Sequence, residues 1–181
     1  YIRLERGAIV DFTMNKVCAA GTGSFLEEQA NRLDVNVKDE FQELALSAAE
    51  PSVLGERCTV FMQSNLNLAQ QRGVSKPDLL AGLAYSVVSN YLNRVVENRT
   101  VGEHIFFQGG TAANKAVKAA FEAVTGRPIT VPAHHDVLGA VGCALLAREH
   151  HLAGGQETGF VGFDLSGRDY TMKSFECKKC A

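Results

Sequence analysis

Residues 18–27 of this chain have the sequence CAAGTGSFLE, in which two glycines precede the start of a predicted helix. Gly21 and Gly23 allow the backbone to turn tightly and to bring its N–H groups close to an anion. The helix start adds about half a positive charge, and the Thr22 and Ser24 hydroxyls can donate to phosphate oxygens. The segment therefore predicts a phosphate-binding loop; the alternative is a plain loop with Ser24 as the helix cap. The Gly-Lys-Ser/Thr ending of a P-loop is absent.

The pattern of apolar residues on both sides of this loop predicts a mixed α/β fold. Two short strands, 1–5 and 8–12, come before it and are joined by a turn at Gly7. The strongest predicted helix is 76–99, where pairs of apolar residues recur on one face. Further helices are predicted at 25–33, 37–49, 111–124 and 136–149, and strand-like runs at 56–62, 104–107 and 129–131. Alternation of helices and strands after residue 76 favours a partly parallel sheet.

A second glycine motif, Gly109-Gly110, follows the buried strand predicted at 104–107 and precedes a helix that begins at Thr111. Ligands of open α/β sheets bind beyond the carboxyl ends of the strands. Two residues without side chains allow a base or ribose to lie against the backbone, and Asn114, one turn into the helix, can orient a polar edge of the ligand. The alternative is a tight connection in which the glycines permit close packing of the helix.

Two cysteines, Cys18 and Cys58, each stand near the amino terminus of a predicted helix. That position favours the thiolate, which is the form that binds metal, and stabilises an anionic iron–sulfur cluster. Two cysteines are half of the set that a 4Fe–4S cluster takes, and a symmetric dimer can supply the other half. The alternative is that both are ordinary buried cysteines.

The other three cysteines have separate interpretations. Cys143 lies on an apolar helix face and is expected in the core. Cys177 and Cys180 form a Cys-x-x-Cys pair, which can be half of a metal site or a redox pair, although a loose tail is favoured without a second pair. Residues 151–181 are expected to be a linker and a hairpin tail that starts a neighbouring module.

Composition excludes several classes of protein. The chain has 181 residues, a formal net charge of −2 and no basic stripe, so nucleic acid is not an expected partner. No apolar run reaches the roughly 18 residues that span a bilayer, so no membrane is expected. Five scattered cysteines do not make a disulfide framework, and a cytoplasmic location is expected. A solvated loop is favoured for His134-His135, although this pair can border a nucleotide site.

Segments around these motifs resemble the BadF/BadG/BcrA/BcrD ATPase family, which includes activators of 2-hydroxyacyl-CoA dehydratases and ATPase subunits of benzoyl-CoA reductase. The similarity lies in residues 10–27, 57–61, 109–114 and 131–145. It implies that residues 1–150 are the second, C-terminal lobe of an actin-like ATPase (ribonuclease H-like) fold with a helical insertion. It also implies that ATP or ADP binds with magnesium at the two glycine motifs, whose residues are Gly21, Thr22, Gly23, Ser24, Gly109, Gly110, Thr111 and Asn114.

The resemblance further implies a homodimer that shares one 4Fe–4S cluster, with Cys18 and Cys58 as the ligands from each chain. Family members use ATP to pass a low-potential electron to an acyl-CoA dehydratase or reductase partner. The family's earlier phosphate motifs and acidic residues do not occur in these 181 residues. The chain is therefore expected to be a fragment that hydrolyses ATP poorly, with its catalytic residues lying before Tyr1.

Two other functions stay open from the residues alone. One is half of an actin-like sugar or acyl kinase, in which residues 21–23 bind phosphate and the cysteines are incidental; no Asp stands out as its base. The other is a non-catalytic interaction domain of a multidomain protein, with Cys177 and Cys180 in a structural metal site.

Overall fold

A computed structural model describes residues 1–16, 23–56, 58–154, 159, 160, 162, 163, 167, 169 and 171–174 of the chain. The chain divides into two compact units, Tyr1–Gly142 and Cys143–Ala181. Among the described residues, all of the secondary structure except residues 143–152 of the last helix lies in the first unit. The predicted pair Cys177 and Cys180 lies outside the described residues.

The described elements alternate between short strands and helices. The strands are β1 (Ile2–Glu5), β2 (Ala8–Phe12), β3 (Ile105–Phe106) and β4 (Ile129–Thr130). The α-helices are α1 (Gly23–Arg32), α2 (Glu40–Leu46), α3 (Thr59–Gln71), α4 (Lys76–Tyr91), α5 (Lys115–Thr125) and α6 (Leu138–Leu152). A π-helical turn (Leu92–Val96) continues α4, and a 3₁₀ turn (Gly110–Ala113) precedes α5.

The four strands form two separate two-stranded sheets. β1 and β2 make the antiparallel hairpin predicted at the start of the chain, with Ile2 opposite Phe12. Its turn has positive φ angles at Arg6 (51°) and Gly7 (82°), as tight hairpin turns require. β3 and β4 pair in parallel because the intervening α5 returns the chain to the same end of the sheet, which confirms the predicted parallel pairing.

Helix α4 is the centre of the first unit and packs against α1, α2 and α5. Its buried residues lie on almost every face: Leu79, Leu80, Ala81, Gly82, Leu83, Ala84, Ser86, Val87, Val88 and Asn90. Such a distribution is expected of a helix that is surrounded by other elements. Each of these three neighbouring helices contributes a fully buried side chain, which is Phe25 on α1, Phe41 on α2 and Val117 on α5.

The prediction of a strand-like run at 56–62 is wrong, because α3 begins at Thr59. Met62, Leu66 and Ala69 are buried at helical spacing, whereas Val60 and Phe61 are 71% and 64% exposed. The β-branched and aromatic residues that suggested a strand therefore lie on the outer side of a helix. The packing of the buried side of the helix therefore outweighs the local strand propensity of these residues.

Three other predicted elements differ in detail. The helix predicted at 76–99 is a regular α-helix only as far as Tyr91 and ends with Glu97 at a φ of 54°. The helix predicted at 111–124 is divided by Asn114 into the 3₁₀ turn and α5. The strand predicted as buried at 104–107 has only two residues, of which Phe106 is 67% exposed.

The last helix, α6, was expected to bury Cys143, and this prediction is wrong because the Cys143 side chain is exposed. None of the α6 residues is buried in the described part of the chain. An apolar sequence pattern identifies a helix but does not by itself supply a partner for its face. No helix within the described ranges combines the length and the apolar character needed to cross a membrane.

Candidate functional site

The loop after β3 is built around Gly109. Its φ of 98° and ψ of 174° belong to a region that only glycine occupies without strain. A methyl group placed on either Gly109 or Gly110 would meet no heavy atom within 4 Å among the described residues. In the described structure no helix packs closely against these two glycines, so the predicted alternative of a tight helix connection is wrong. The backbone conformation explains the glycine at 109 but not the one at 110, whose outer side faces open space.

The loop after the neighbouring strand β4 is joined to Gly109 by two contacts. The Gly109 N–H donates to the His135 carbonyl oxygen at 2.7 Å. In return, the His135 Nδ1 atom lies 2.9 Å from the Gly109 carbonyl oxygen. The sequence favoured a solvated loop for His135, and that interpretation missed this contact because no local pattern reports a bond between two loops.

Asn114 lies at the start of α5 and not one turn into the helix as predicted. Its Oδ1 atom accepts from the N–H groups of Ala116 at 3.0 Å and Val117 at 3.2 Å. The Lys115 N–H donates to the Gln42 side chain of α2 at 3.1 Å. The first N–H groups of α5 are therefore already bonded within the protein, and Asn114 fixes the helix start behind the glycine loop.

The two predicted glycine motifs meet at one point of the structure. A methyl group placed on Gly23, at the start of α1, would stand 3.8 Å from the Thr111 hydroxyl oxygen. The adjacent Ser24 is exposed and lies inside the helix, so the alternative in which Ser24 caps α1 is wrong. Gly21 and Thr22, the first part of the predicted phosphate loop, lie outside the described residues.

Cys58 occupies the N-cap position of α3, which agrees with its predicted place near a helix start and not with the strand-like run that the sequence also predicted there. Its carbonyl oxygen accepts from the Met62 N–H at 2.9 Å, which is the first bond of the helix. The side chain is half-buried and packs at the edge of the core, so Cys58 is not a fully buried cysteine. The side chains of Val60 and Phe61, which come after Thr59, are exposed.

The segment before Cys58 is fastened to two helices. The Asn65 side chain of α3 donates to the Leu54 carbonyl oxygen at 2.7 Å. The segment also lies so close to α4 that a methyl group on Gly82 would stand 2.3 Å from the Ser52 carbonyl oxygen. These contacts hold residues 52 and 54 of the segment against α4 and α3.

The second predicted cluster ligand, Cys18, lies outside the described residues. Within the described part of the chain, no three histidine, cysteine or acidic side chains are grouped so as to hold a metal ion. Cys58 is thus the single described cysteine among the predicted ligands, and any cluster would need further ligands beyond it.

Comparison with known proteins gives a family for this architecture. The model of the BadF/BadG/BcrA/BcrD ATPase family matches residues 1–147. The (R)-2-hydroxyglutaryl-CoA dehydratase activating ATPase of Acidaminococcus fermentans is 35% identical over 147 residues, which cover 81% of this chain and 55% of that protein.

Two solved structures have the same fold. Component A of the Acidaminococcus fermentans (R)-2-hydroxyglutaryl-CoA dehydratase has a TM-score of 0.76 and 33% identity, covering 83% of this chain and 57% of that one. The activator of the 2-hydroxyisocaproyl-CoA dehydratase from Clostridium difficile, solved with bound ADPNP, has a TM-score of 0.75 and 26% identity, covering 87% and 60%. The likeness confirms the predicted α/β, actin-like ATPase fold, and the chain spans little more than half the length of these proteins.

Proposed function

The chain belongs to the BadF/BadG/BcrA/BcrD ATPase family, and from that membership we propose that it is the nucleotide-binding and cluster-binding part of an ATP-dependent activator. The activator would deliver a low-potential electron to a 2-hydroxyacyl-CoA dehydratase or a benzoyl-CoA reductase type of partner. The observation that carries this proposal is the approach of Gly23 to Thr111, because it unites two motifs that are each suited to a different part of one nucleotide. The names of the relatives, which are dehydratase activators, support the choice of partner.

The nucleotide would lie across the meeting point of the two glycine motifs. Gly109 and Gly110 would receive the base or ribose against bare backbone, since no described atom fills the space beside them. Thr111 stands between this part and the phosphate side. The phosphates would accept from N–H and hydroxyl donors of residues 21–24, and magnesium would accompany them. Asn114 would not contact the nucleotide but would hold the start of α5 in place next to the glycine loop.

The cluster would be held by Cys58 and Cys18 of each chain in a homodimer. The described half of this ligand set fits the role, because Cys58 is accessible and stands at the amino terminus of the thirteen-residue helix α3. A helix amino terminus stabilises the negative charge of thiolate ligands. When bound, a 4Fe–4S cluster supplies a one-electron redox centre of low potential.

Coupling between nucleotide and cluster would use the shortness of the chain between the two sites. Cys18 is three residues from Gly21, so a cluster ligand and a phosphate loop share one segment. If the segment changes conformation when ATP is replaced by ADP, the cluster ligand Cys18 would move with it. The segment that precedes the other ligand, Cys58, lies against α4 at Ser52, so Cys58 would be the ligand that stays in place.

Nucleotide binding is tested by calorimetric titration of magnesium ADPNP into the 181-residue chain. A saturable signal with one nucleotide per chain is expected. The same titration with magnesium pyrophosphate separates the two parts of the site, because pyrophosphate can use the phosphate side alone. Absence of any ADPNP binding would contradict the proposed nucleotide role.

The cluster is tested by anaerobic reconstitution with iron and sulfide, followed by iron analysis and absorbance spectroscopy. The variants are Cys58→Ser and Cys18→Ser, and the matched control is Cys143→Ser, which changes an exposed cysteine on α6. We expect iron uptake by the parent and the control and its loss in the two variants. Equal iron uptake by all four proteins would rule out these ligands.

A further inference from the structure

The contact between His135 and Gly109 joins two loops at the edge where the candidate nucleotide site lies. β3 and β4 run in parallel, and the Phe107 N–H donates to the Thr130 carbonyl oxygen at 2.9 Å just beyond their paired residues. The two chains then separate into loops. In the described part of the chain, the hydrogen bonds between these two loops all join Gly109 and His135. In one of them the Gly109 N–H donates to the His135 carbonyl oxygen at 2.7 Å.

The side-chain contact defines which nitrogen of His135 bears a proton. The Gly109 carbonyl oxygen can only accept a hydrogen bond, so Nδ1, 2.9 Å away, must donate. Both the N–H and the C=O of Gly109 are thereby bonded to the same residue. Glycine has the largest backbone freedom of any residue, and these two bonds hold it at a φ of 98°.

The Gly109 carbonyl oxygen also begins the 3₁₀ turn that contains Thr111. The Gly109 oxygen accepts a second hydrogen bond from the Ala112 N–H at 3.1 Å, which closes the 3₁₀ turn. Thr111 lies within that turn and faces Gly23 at the start of α1. A chain of direct contacts therefore runs from the His135 ring through Gly109 to the meeting point of the two glycine motifs.

We propose that His135 is a positioning residue that holds the Gly109–Thr111 turn in the conformation that receives the nucleotide. This inference rests on the proposed nucleotide binding, and it adds a residue that lies in neither glycine motif. His135 acts through Gly109 and need not touch the ligand. Loss of its side-chain bond leaves the Gly109 carbonyl oxygen with the Ala112 N–H as its hydrogen-bond donor and lowers the fraction of chains with the turn ready to bind.

The test compares three variants by titration with magnesium ADPNP. His135→Ala removes the donor, and we expect nucleotide affinity to fall by about five- to tenfold, the effect of one net hydrogen bond. His135→Asn places an amide nitrogen near the position of Nδ1 and is expected to bind within about twofold of the parent. The matched control His134→Asn changes the neighbouring exposed histidine, whose φ of 58° asparagine tolerates, and is expected to bind like the parent.

Hydrogen exchange without nucleotide gives a second readout. The amide protons of Gly109 and Ala112 are expected to exchange faster in His135→Ala and at the parental rate in His135→Asn. Parental ADPNP affinity in His135→Ala, or equal weakening in the alanine and asparagine variants, would overturn the inference. If the parent bound no nucleotide, the proposed function would fail by itself, and unchanged exchange at Ala112 in His135→Ala would still overturn the positioning role.

Discussion

Gly23 at the start of α1 and Thr111 in the turn before α5 are neighbours in space, and a methyl group on Gly23 would stand 3.8 Å from the Thr111 hydroxyl oxygen. That distance is an ordinary van der Waals contact, so packing alone does not require glycine at position 23. Among the described residues, no atom covers the outer side of the backbone at Gly109 and Gly110, close to where the two motifs meet. An uncovered backbone surface at the carboxyl end of a strand is a place where a ligand can lie.

Alanine substitutions separate the two glycines of the second motif. Gly109→Ala forces a methyl-bearing residue to a φ of 98° and is expected to lower the free energy of unfolding by about 1–2 kcal/mol. Gly110→Ala enters space that the described residues leave open, so it is expected to keep parental stability and to weaken ADPNP binding. Urea unfolding and calorimetric titration of both variants provide the measurements. Parental ADPNP affinity in Gly110→Ala would show that no ligand lies against this residue.

Glycines inside two helices are expected to respond in opposite directions. In Gly82→Ala the new methyl group would stand 2.3 Å from the Ser52 carbonyl oxygen, and we expect a loss of about 3 kcal/mol of stability. The control is Gly139→Ala in α6, where no described atom lies within 4 Å and alanine should stabilise by about 0.5–1 kcal/mol. Urea unfolding measures both changes.

The Gly82 substitution also tests how Cys58 is held. Because Ser52 belongs to the segment that leads to Cys58, the folded fraction of Gly82→Ala is expected to take up less iron on anaerobic reconstitution than Gly139→Ala. Equal iron uptake per folded molecule would mean that the contact between α4 and this segment does not position the cysteine.

Local sequence patterns predicted the parts of the fold that local chemistry determines. The turn at Gly7 and the helix start near Gly23 depend on a few adjacent residues, and the structure has both. The same kind of local pattern predicted a strand at residues 56–62 and was wrong, because the burial of Met62 depends on packing with distant helices. The approach of Gly23 to Thr111 and the bond from His135 to Gly109 join distant parts of the chain, and no pattern within either segment records such a contact.

Acid should weaken the start of α4 through Asp78. Hydrogen bonds from the Ser75 hydroxyl at 2.6 Å and the Glu50 N–H at 2.9 Å lower the pKa of the Asp78 carboxyl below its ordinary value of 3.8. A lowered pKa in the folded state means that the stabilisation is fully present above 3.8 and is lost as the pH falls through the folded-state value. Asp78→Asn is therefore expected to be less stable than the parent near neutral pH, with the difference shrinking in acid.

Two measurements check this expectation. Urea midpoints of the parent and Asp78→Asn, taken between about pH 6 and about pH 3, should converge at the acid end. Carboxyl titration by NMR should give Asp78 a lower pKa in the parent than in Ser75→Ala, where the hydroxyl that contributes most to the shift is removed. A constant stability difference across the pH range would contradict the linkage.

The proposed homodimer makes a prediction for the exposed apolar pair beside Cys58. A cluster held by Cys58 of two chains would bring the starts of both α3 helices together, and Val60 and Phe61, which are 71% and 64% exposed, would then be buried. Phe61→Glu places a charge there and is expected to weaken the reconstituted dimer by about tenfold or more, from the lost apolar burial. The control Leu145→Glu changes a half-exposed leucine on α6 and should leave the dimer intact. Sedimentation equilibrium under anaerobic conditions measures both, and a dimer that survives Phe61→Glu but dissociates in Leu145→Glu would assign the interface to α6.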